Sequence, residues 1–332
     1  MHALAEPVVA GTARRARESR IPGSRLLRSV VRRPAGALGL ALTGSFFLVA
    51  RFAGRIAPLD PNHVVGNALQ SPSAAHRFGT DYAGRDEFTL VIHGVQTTGT
   101  VVVWAALLSA GLGLLIGASA GYRAGGLLDR AVLRVIELLQ TIPRFFLVLL
   151  VLSLFGATRR NIILSLGLTM WTLLARVVRS ETLTVRHRDF VRAAQAAGAR
   201  DAHIIVRHII PNIMPTATVL IALNASAVIL IEAGLAFLGV GDTQHVSLGQ
   251  LISTANGYFQ QAWWMSVFPG IALVVAVLGI NLLADALGEV LDPRRRGGAS
   301  HGTPTGRTAR TGRTARLAAT GGMATVSRRG AR

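Results

Sequence analysis

GVQTTGTVVVWAALLSAGLGLLIGASAGY, residues 94–122, runs for 29 positions without a charged side chain. A helix needs roughly 20 apolar residues to cross the hydrocarbon core of a bilayer, so this stretch reads as a membrane span. Working outward, the same test finds five more spans. Residues 34–50 are uncharged and follow Arg32-Arg33, with Arg51 able to snorkel at the far end. Residues 133–155 are interrupted by Arg134, Glu137 and Arg144, and residues 161–175 continue as helix past Arg176. Residues 211–240 are broken only by Glu232. Residues 262–284 open on Trp263-Trp264, which reads as an interfacial anchor. The expectation is an all-α integral membrane protein with about six transmembrane helices.

Composition agrees. Of 332 residues, 51% are hydrophobic and only 15% charged, too few charges to solvate a soluble surface of this size. Cysteine is absent, which excludes disulfides, thiolate metal sites and a cysteine nucleophile. All 35 basic residues are arginine. A Walker A loop needs its lysine to reach the nucleotide phosphates, so this chain carries no such loop, and lysine Schiff-base chemistry is excluded with it. If ATP drives the protein, another subunit binds it.

Arginine placement sets orientation. With a cytoplasmic N-terminus, 29 arginines fall in inner segments and 6 in outer ones, and Arg159-Arg160 in a short outer loop is the local violation. The first span reads as an uncleaved anchor, because its basic region exceeds 30 residues and Arg51-Phe52 follows the apolar run. The expected organisation is a mobile basic tail over 1–30, a first span and outer segment over 31–93, a core over 94–296, and an arginine-rich tail over 297–332. The second tail repeats Gly-Arg-Thr-Ala-Arg at 306–310 and 312–316. Neither tail has enough apolar surface to offset ordering entropy. Such tails are solvated or attracted to anionic lipid. No aromatic platform accompanies the arginines, so nucleic acid is not an expected partner.

The inner loop, 183–211, is the most informative connection. Arg188 to Gly198 reads as a short helix that stops at Gly198, where glycine suits a left-handed C-terminal position. The pairs Ala193/Ala197 and Ala194/Gly198 strip one face of bulk. A second helical stretch is expected from about Asp201 to Ile210, with Pro211 opening the next span. A small-residue helix of this kind either packs under the membrane body or lets a partner surface approach closely.

R-A-A-Q-A-A-G at 192–198, then nine residues, then H-I-I-P at 208–211, resembles the EAA loop of binding-protein-dependent ABC importer permeases. I-A-P-L-D-P-N (56–62) and H-R-F-G-T-D-Y-A-G-R-D (76–86) resemble the first outer segment of the C-type permeases for dipeptides, oligopeptides and nickel. A-G-Y-R-A-G-G-L-L-D-R (120–130), A-G-L-A-F-L-G-V-G (233–241) and N-L-L-A-D-A-L-G-E-V-L-D-P-R (281–294) fit the same family. The resemblance covers roughly residues 29–296. Three positions depart from the pattern. The motif's leading glutamate is Arg192, the leucine before its proline is Ile210, and 241–249 lacks the family's prolines and Ser-Trp-Gly.

The resemblance implies a type I ABC importer permease fold and no enzymatic activity or cofactor of the chain's own. It implies residence in the bacterial cytoplasmic membrane with both termini inside. The implied partners are a second homologous permease, two ATPase subunits and an extracytoplasmic solute-binding protein, in contact with membrane lipid. The coupling loop carries over onto Arg192, Ala193, Ala194, Ala197, Gly198, Asp201 and Pro211. The outer motif carries over onto Gly79, Thr80, Asp81, Gly84, Arg85 and Asp86. The cargo it implies is dipeptide or oligopeptide, with nickel or another small solute as the alternative.

Polar residues within the spans are candidates for the translocation path. Glu232 costs about 2.5–3.5 kcal/mol at mid-membrane unless it faces protein or water. Asn224 lies on the same span. Arg144 stands two helical turns, about 10 Å, from Glu137 on what a continuous helix makes one face. Arg134 and Glu137 have pairing distance. His93 and His245 are isolated, which argues against a metal site. The rival class is an ATP-independent secondary transporter, which usually shows two repeated halves with broken helices at matching places; no such repeat is visible. Topology is directly testable because the chain has no native cysteine. Ser300→Cys should stay unlabelled by an impermeant thiol reagent applied to intact cells, and labelling from outside would reverse the orientation.

Overall fold

The computed structural model describes residues 23–291. Residues 1–22 and 292–332, which hold most of both expected tails, lie outside the described residues. Two helices open the described chain, α1 (Gly23–Val31) and α2 (Pro34–Ile56). Residues 23–30 fall within the stretch whose composition argues for a tail, yet they are helical. Val30, 2% exposed, packs with Ala286 and Val290 near the end of the last helix. Pro34 sits in the first turn of α2, where its missing N–H has no partner to lose.

Residues 57–86 form an irregular segment that leads into α3 (Glu87–Tyr122). Asp86 caps this helix by accepting the Thr89 N–H at 2.9 Å. At 36 residues, α3 is about 54 Å long, well beyond the ~30 Å hydrocarbon core. The residues expected as one span at 133–155 instead form α4 (Leu127–Thr141) and α5 (Arg144–Phe155), bent by 86°. Pro143 accounts for the bend. It cannot donate an N–H, its ring crowds the carbonyl four residues back, and Ile142 before it is extended at φ −89°, ψ 129°. Glu137 and Arg144 therefore do not share a helix face, which corrects the two-turn expectation. Arg134 and Glu137 do pair, at 3.2 Å on an exposed surface.

Four further helices follow: α6 (Arg159–Val185), the short α7 (Asp189–Ala196), α8 (Asp201–Phe237) and α9 (Leu248–Ala255). The described chain ends on α10 (Trp264–Leu291). Among the described residues, α2, α3, α6, α8 and α10 are each long and apolar enough to cross a membrane, and the bent pair makes six if it counts as one span. The expected break between a 201–210 helix and a span opening at Pro211 is absent. The helix runs through a π-turn at Ile205–Ile209, where the Ile210 N–H reaches back to the Ile205 carbonyl. The wider turn sits immediately before Pro211, whose ring would crowd an ordinary α-turn.

The bundle is built on α3 and α6, which pack together along most of their lengths. Gly113, Gly117 and Gly121 recur every fourth residue and share one face of α3. A Cβ on Gly117 would lie 2.6 Å from the Ala175 carbonyl oxygen, and one on Gly121 2.6 Å from that of Arg179. A Cβ on Gly113 would lie 2.8 Å from the Leu174 side chain. Backbones approach this closely only through small residues. On the other side of α3, α2 and α10 pack against each other, and α8 crosses to touch α3, α6 and α10. Large apolar side chains such as Trp104, Leu107, Leu115 and Val274 face outward, as a lipid- or protein-covered surface requires.

Two expectations change at the end that carries 57–86. Trp264 is no surface anchor: it is 5% exposed and its indole N–H donates to the Thr80 carbonyl at 3.1 Å, while Trp263 remains exposed. Arg159, half of the arginine pair that violates the charge rule, lies 3.8 Å from the buried carboxylate of Asp242. Its charge is countered within the protein.

The glycine face of α3 gives a direct test. Gly117→Leu should lower stability by about 1–3 kcal/mol or more through overpacking against α6. Gly111→Leu, at a position with nothing within 4 Å of the added Cβ, should behave as wild type. Thermal unfolding and size-exclusion profiles in detergent compare the two.

Candidate functional site

The helix α7 is a small element held on a large one. Val191 is fully buried among Val185, Ile204 and Ile209, with Phe190 and Ala194 packed beside it. The opposite face, Asp189, Arg192, Ala193, Ala196 and Ala197, is exposed. That face carries short side chains apart from Asp189 and Arg192. Gly198 ends the helix at φ +77°. The Gly198 N–H bonds to the Gln195 carbonyl at 2.9 Å and the Ala199 N–H to the Ala194 carbonyl at 3.1 Å. This paired arrangement satisfies the last carbonyls of the helix and needs a residue at ease with positive φ.

Polar contacts fix α7 to the turn after α3. The Gln195 amide donates to the Tyr122 hydroxyl at 2.9 Å. Arg186, just before α7, donates to the Tyr122 carbonyl at 3.1 Å, and Arg123 pairs with Asp201 at 3.1 Å. Behind these, Arg179 of α6 binds Asp129 of α4, with Nη2 2.8 Å from Oδ2, and Asp129 also accepts the Gly125 N–H at 2.8 Å. The ion pair is largely buried and its charges are satisfied from both sides, the condition under which such a pair holds a defined geometry. Pro211 lies apart from the exposed face of α7. With His203, Val206 and Arg207 it lines a groove of about 460 Å³.

The candidate path residues do not converge. Glu232 is 3% exposed, and its Oε2 accepts the Thr98 hydroxyl of α3 at 3.0 Å. Asn224, two turns earlier on α8, donates to the Ser109 hydroxyl at 2.9 Å and to the Met170 carbonyl at 3.3 Å. Both side chains tie α8 to α3, and Asn224 reaches α6 as well. Arg144 begins α5 beyond the bend and makes neither set of contacts.

The outer motif folds into a knot. Thr80 is fully buried; its hydroxyl donates to the Asn67 carbonyl at 2.7 Å and accepts the Gln70 N–H at 2.9 Å. Asp81 accepts the N–H groups of Ala83 and Arg85 and also the Arg85 guanidinium. Gly79 and Gly84 take positive φ, and a Cβ on Gly84 would lie 2.3 Å from the Gly66 carbonyl oxygen. Each of these residues serves the shape of the segment. His93 Nε2 donates to the Ala57 carbonyl at 3.1 Å, and His245 Nδ1 lies 2.7 Å from Asp242 Oδ2.

Reading the loop by itself misses the residues that hold it. Val191, Gln195, Arg186, Tyr122 and the Asp129–Arg179 pair give α7 its position. The signal for two of them was present, since Tyr122 and Asp129 both lie in the A-G-Y-R-A-G-G-L-L-D-R stretch. Without coordinates, nothing joins that stretch to a loop more than 60 residues later in the sequence.

Known proteins can now be set beside this geometry. Residues 113–297 match the family described as binding-protein-dependent transport system inner membrane component. A peptide transport system permease protein of Brucella suis is 38% identical over 270 residues, covering 80% of this chain and 90% of the relative. The dipeptide transport system permease protein DppC of Bacillus subtilis is 35% identical, covering 77% and 82%. The nickel transport system permease protein NikC of Escherichia coli is 34% identical, covering 76% and 89%. The all-helical, multi-pass architecture of the described residues fits the permease fold, and the family match begins within α3 and runs through α10. The chain belongs to the family of binding-protein-dependent transport system inner membrane components.

Proposed function

We propose that the chain is one permease subunit of an ATP-driven importer whose cargo is a dipeptide or oligopeptide, and that α7 is where a separate ATPase subunit docks. The observation that supports this is the exposed alanine face of α7, mounted through Val191, Tyr122 and Asp129 on three long helices. Apart from Asp189 and Arg192, a partner cleft meets only short side chains there. Movement of α7 passes directly to the ends of α3, α6 and α8, because the hydrogen bonds and buried contacts leave it no separate freedom. Both termini and α7 then lie in the cytoplasm, the knot at 57–86 faces outside, and a binding protein and a second permease complete the assembly. The similarity to NikC favours nickel as the second cargo reading. Measuring what the cognate binding protein retains, peptide or metal, decides between them.

In this reading Glu232 is a fastening between α8 and α3 rather than a cargo contact, because its carboxylate already has a hydroxyl partner in Thr98. Glu232→Gln, which keeps hydrogen-bonding capacity, should express and transport better than Glu232→Leu, which leaves Thr98 without its acceptor. Equal behaviour of the two would remove the fastening role. Arg192 stands on the docking face in place of the family's acid, so the matching ATPase surface should be acidic or neutral there. Like charges meeting at an interface cost several kcal/mol. Arg192→Glu should weaken co-purification with the native ATPase and strengthen it with an ATPase whose usual permease carries glutamate. Ala193→Trp and Gly198→Trp should abolish ATP-driven transport while leaving membrane insertion intact. The first needs no unusual backbone; the second strains the positive-φ helix stop, although no atom lies within 4 Å of its added Cβ, and normal transport by both would show that α7 is not the docking element.

A further inference from the structure

Behind the knot at 79–86, the first residue of α3 is buried without a partner. Glu87 is 1% exposed, and neither of its carboxylate oxygens has a hydrogen-bond partner. The charges around it are already committed. Arg85 places Nε 2.7 Å and Nη2 2.6 Å from Asp81 Oδ2. Asp81 Oδ1 accepts the N–H groups of Ala83 and Arg85 at 2.9 and 2.8 Å. Asp86 Oδ2 accepts the N–H and hydroxyl of Thr89 at 2.9 and 2.7 Å, and its Oδ1 lies 3.7 Å from His76 Nδ1. The knot thus leaves one carboxylate, that of Glu87, with neither a counter-charge nor a donor of its own.

Glu87 lines a cavity of about 110 Å³ between the knot and α9. A water molecule's share of liquid volume is about 30 Å³, so the space suits a small headgroup and is too small for a dipeptide. Tyr82 and Gln250, both exposed, stand at its mouth, and the half-buried Thr254 lies on the α9 wall. Asp81 and Arg85 line it too and are paired with each other, so the acceptors left are the two oxygens of Glu87, the Thr254 hydroxyl and the Gln250 amide oxygen. Three N–H donors and one positive charge match that set. A divalent metal does not, since among the described residues no group of three histidine or acidic side chains converges to hold one.

We propose that this cavity binds a protonated primary amine, with the Glu87 carboxylate as counter-ion and Thr254 and Gln250 as additional acceptors. The ammonium group supplies the charge and the donors that the knot withholds from Glu87. Bound there, it joins the connection before α3 to α9, which is the helix in the connection after α8. The proposal stands on this cavity alone and does not depend on the transport reading.

The test uses the full-length chain purified in detergent at pH 9, where methylammonium is still protonated and a buried carboxyl can ionise, and at constant ionic strength. Its thermal unfolding is measured in methylammonium, sodium or tetramethylammonium chloride. The three cations carry one charge each, and only methylammonium presents N–H donors. Methylammonium should raise the unfolding midpoint above that in tetramethylammonium by about 2–4 °C near ten times its dissociation constant. Sodium should not, and Glu87→Gln should lose the increment. Thr254→Val, which leaves the carboxylate in place, should reduce it and serves as the second variant should Glu87→Gln fail to fold. Equal midpoints of the wild type in the three salts, or an undiminished increment in Glu87→Gln and Thr254→Val, would overturn the proposal. A rise in sodium equal to that in methylammonium would overturn the assignment to an amine.

Discussion

The close approach of α3 and α6 is the contact on which the rest of the bundle depends. Within a bilayer, helices gain little from hiding apolar surface, because lipid is as apolar as leucine. Close van der Waals packing and interhelical hydrogen bonds must hold them together. Gly113, Gly117 and Gly121 allow the backbones of the two helices to meet, and α6 then presents Arg179 to Asp129 and Val178 to the cluster beneath α7. On the other flank, α8 uses Asn224 and Glu232 to fasten to the same pair. The elements at both ends of the bundle are positioned by this spine.

Several polar groups in the interior find a partner on a different helix. Thr98 meets Glu232 across α3 and α8, and Asn224 meets Ser109 and Met170. An unpaired polar group in hydrocarbon would cost more than such a bond returns, so these contacts also restrict which helix faces can meet. The same logic explains Arg159. Its position offends the charge rule in sequence, yet Asp242 lies close enough to counter it.

Local features of the chain were legible in the sequence and long-range ones were not. Spans announce themselves because twenty apolar residues have few alternatives to crossing a bilayer, and α7 announces itself by its alanines and by Gly198. Pro143 was visible, but a proline in a helix either kinks it or ends it, and only packing decides which. Pro211 shows the other outcome: the helix absorbs it through a π-turn and continues. The glycine face of α3 was present as a spacing of four, although its partner could have been any other helix. Glu87 was unremarkable as a residue in a polar stretch. Its isolation follows from where Arg85 and Asp86 spend their bonds, which depends on coordinates. Trp264 misled for a related reason, since an aromatic at a span end suits an interface and a buried carbonyl equally well.

The break at Pro143 bears on how the protein is made. With 12 residues, α5 is about 18 Å long, too short to cross the hydrocarbon core without help. It is followed by the turn at 156–158, where Asn161 donates to the carbonyls of both Phe155 and Gly156 at 2.9 Å. Those bonds close the turn between α5 and α6 using only residues that emerge together from the ribosome. Its partner α6 carries the length and the buried face that α5 lacks, and α3, already synthesised, offers the glycine surface that receives it. The chain therefore presents α5 and α6 as a hairpin closed by its own local bonds, in which the short arm is held by the long one.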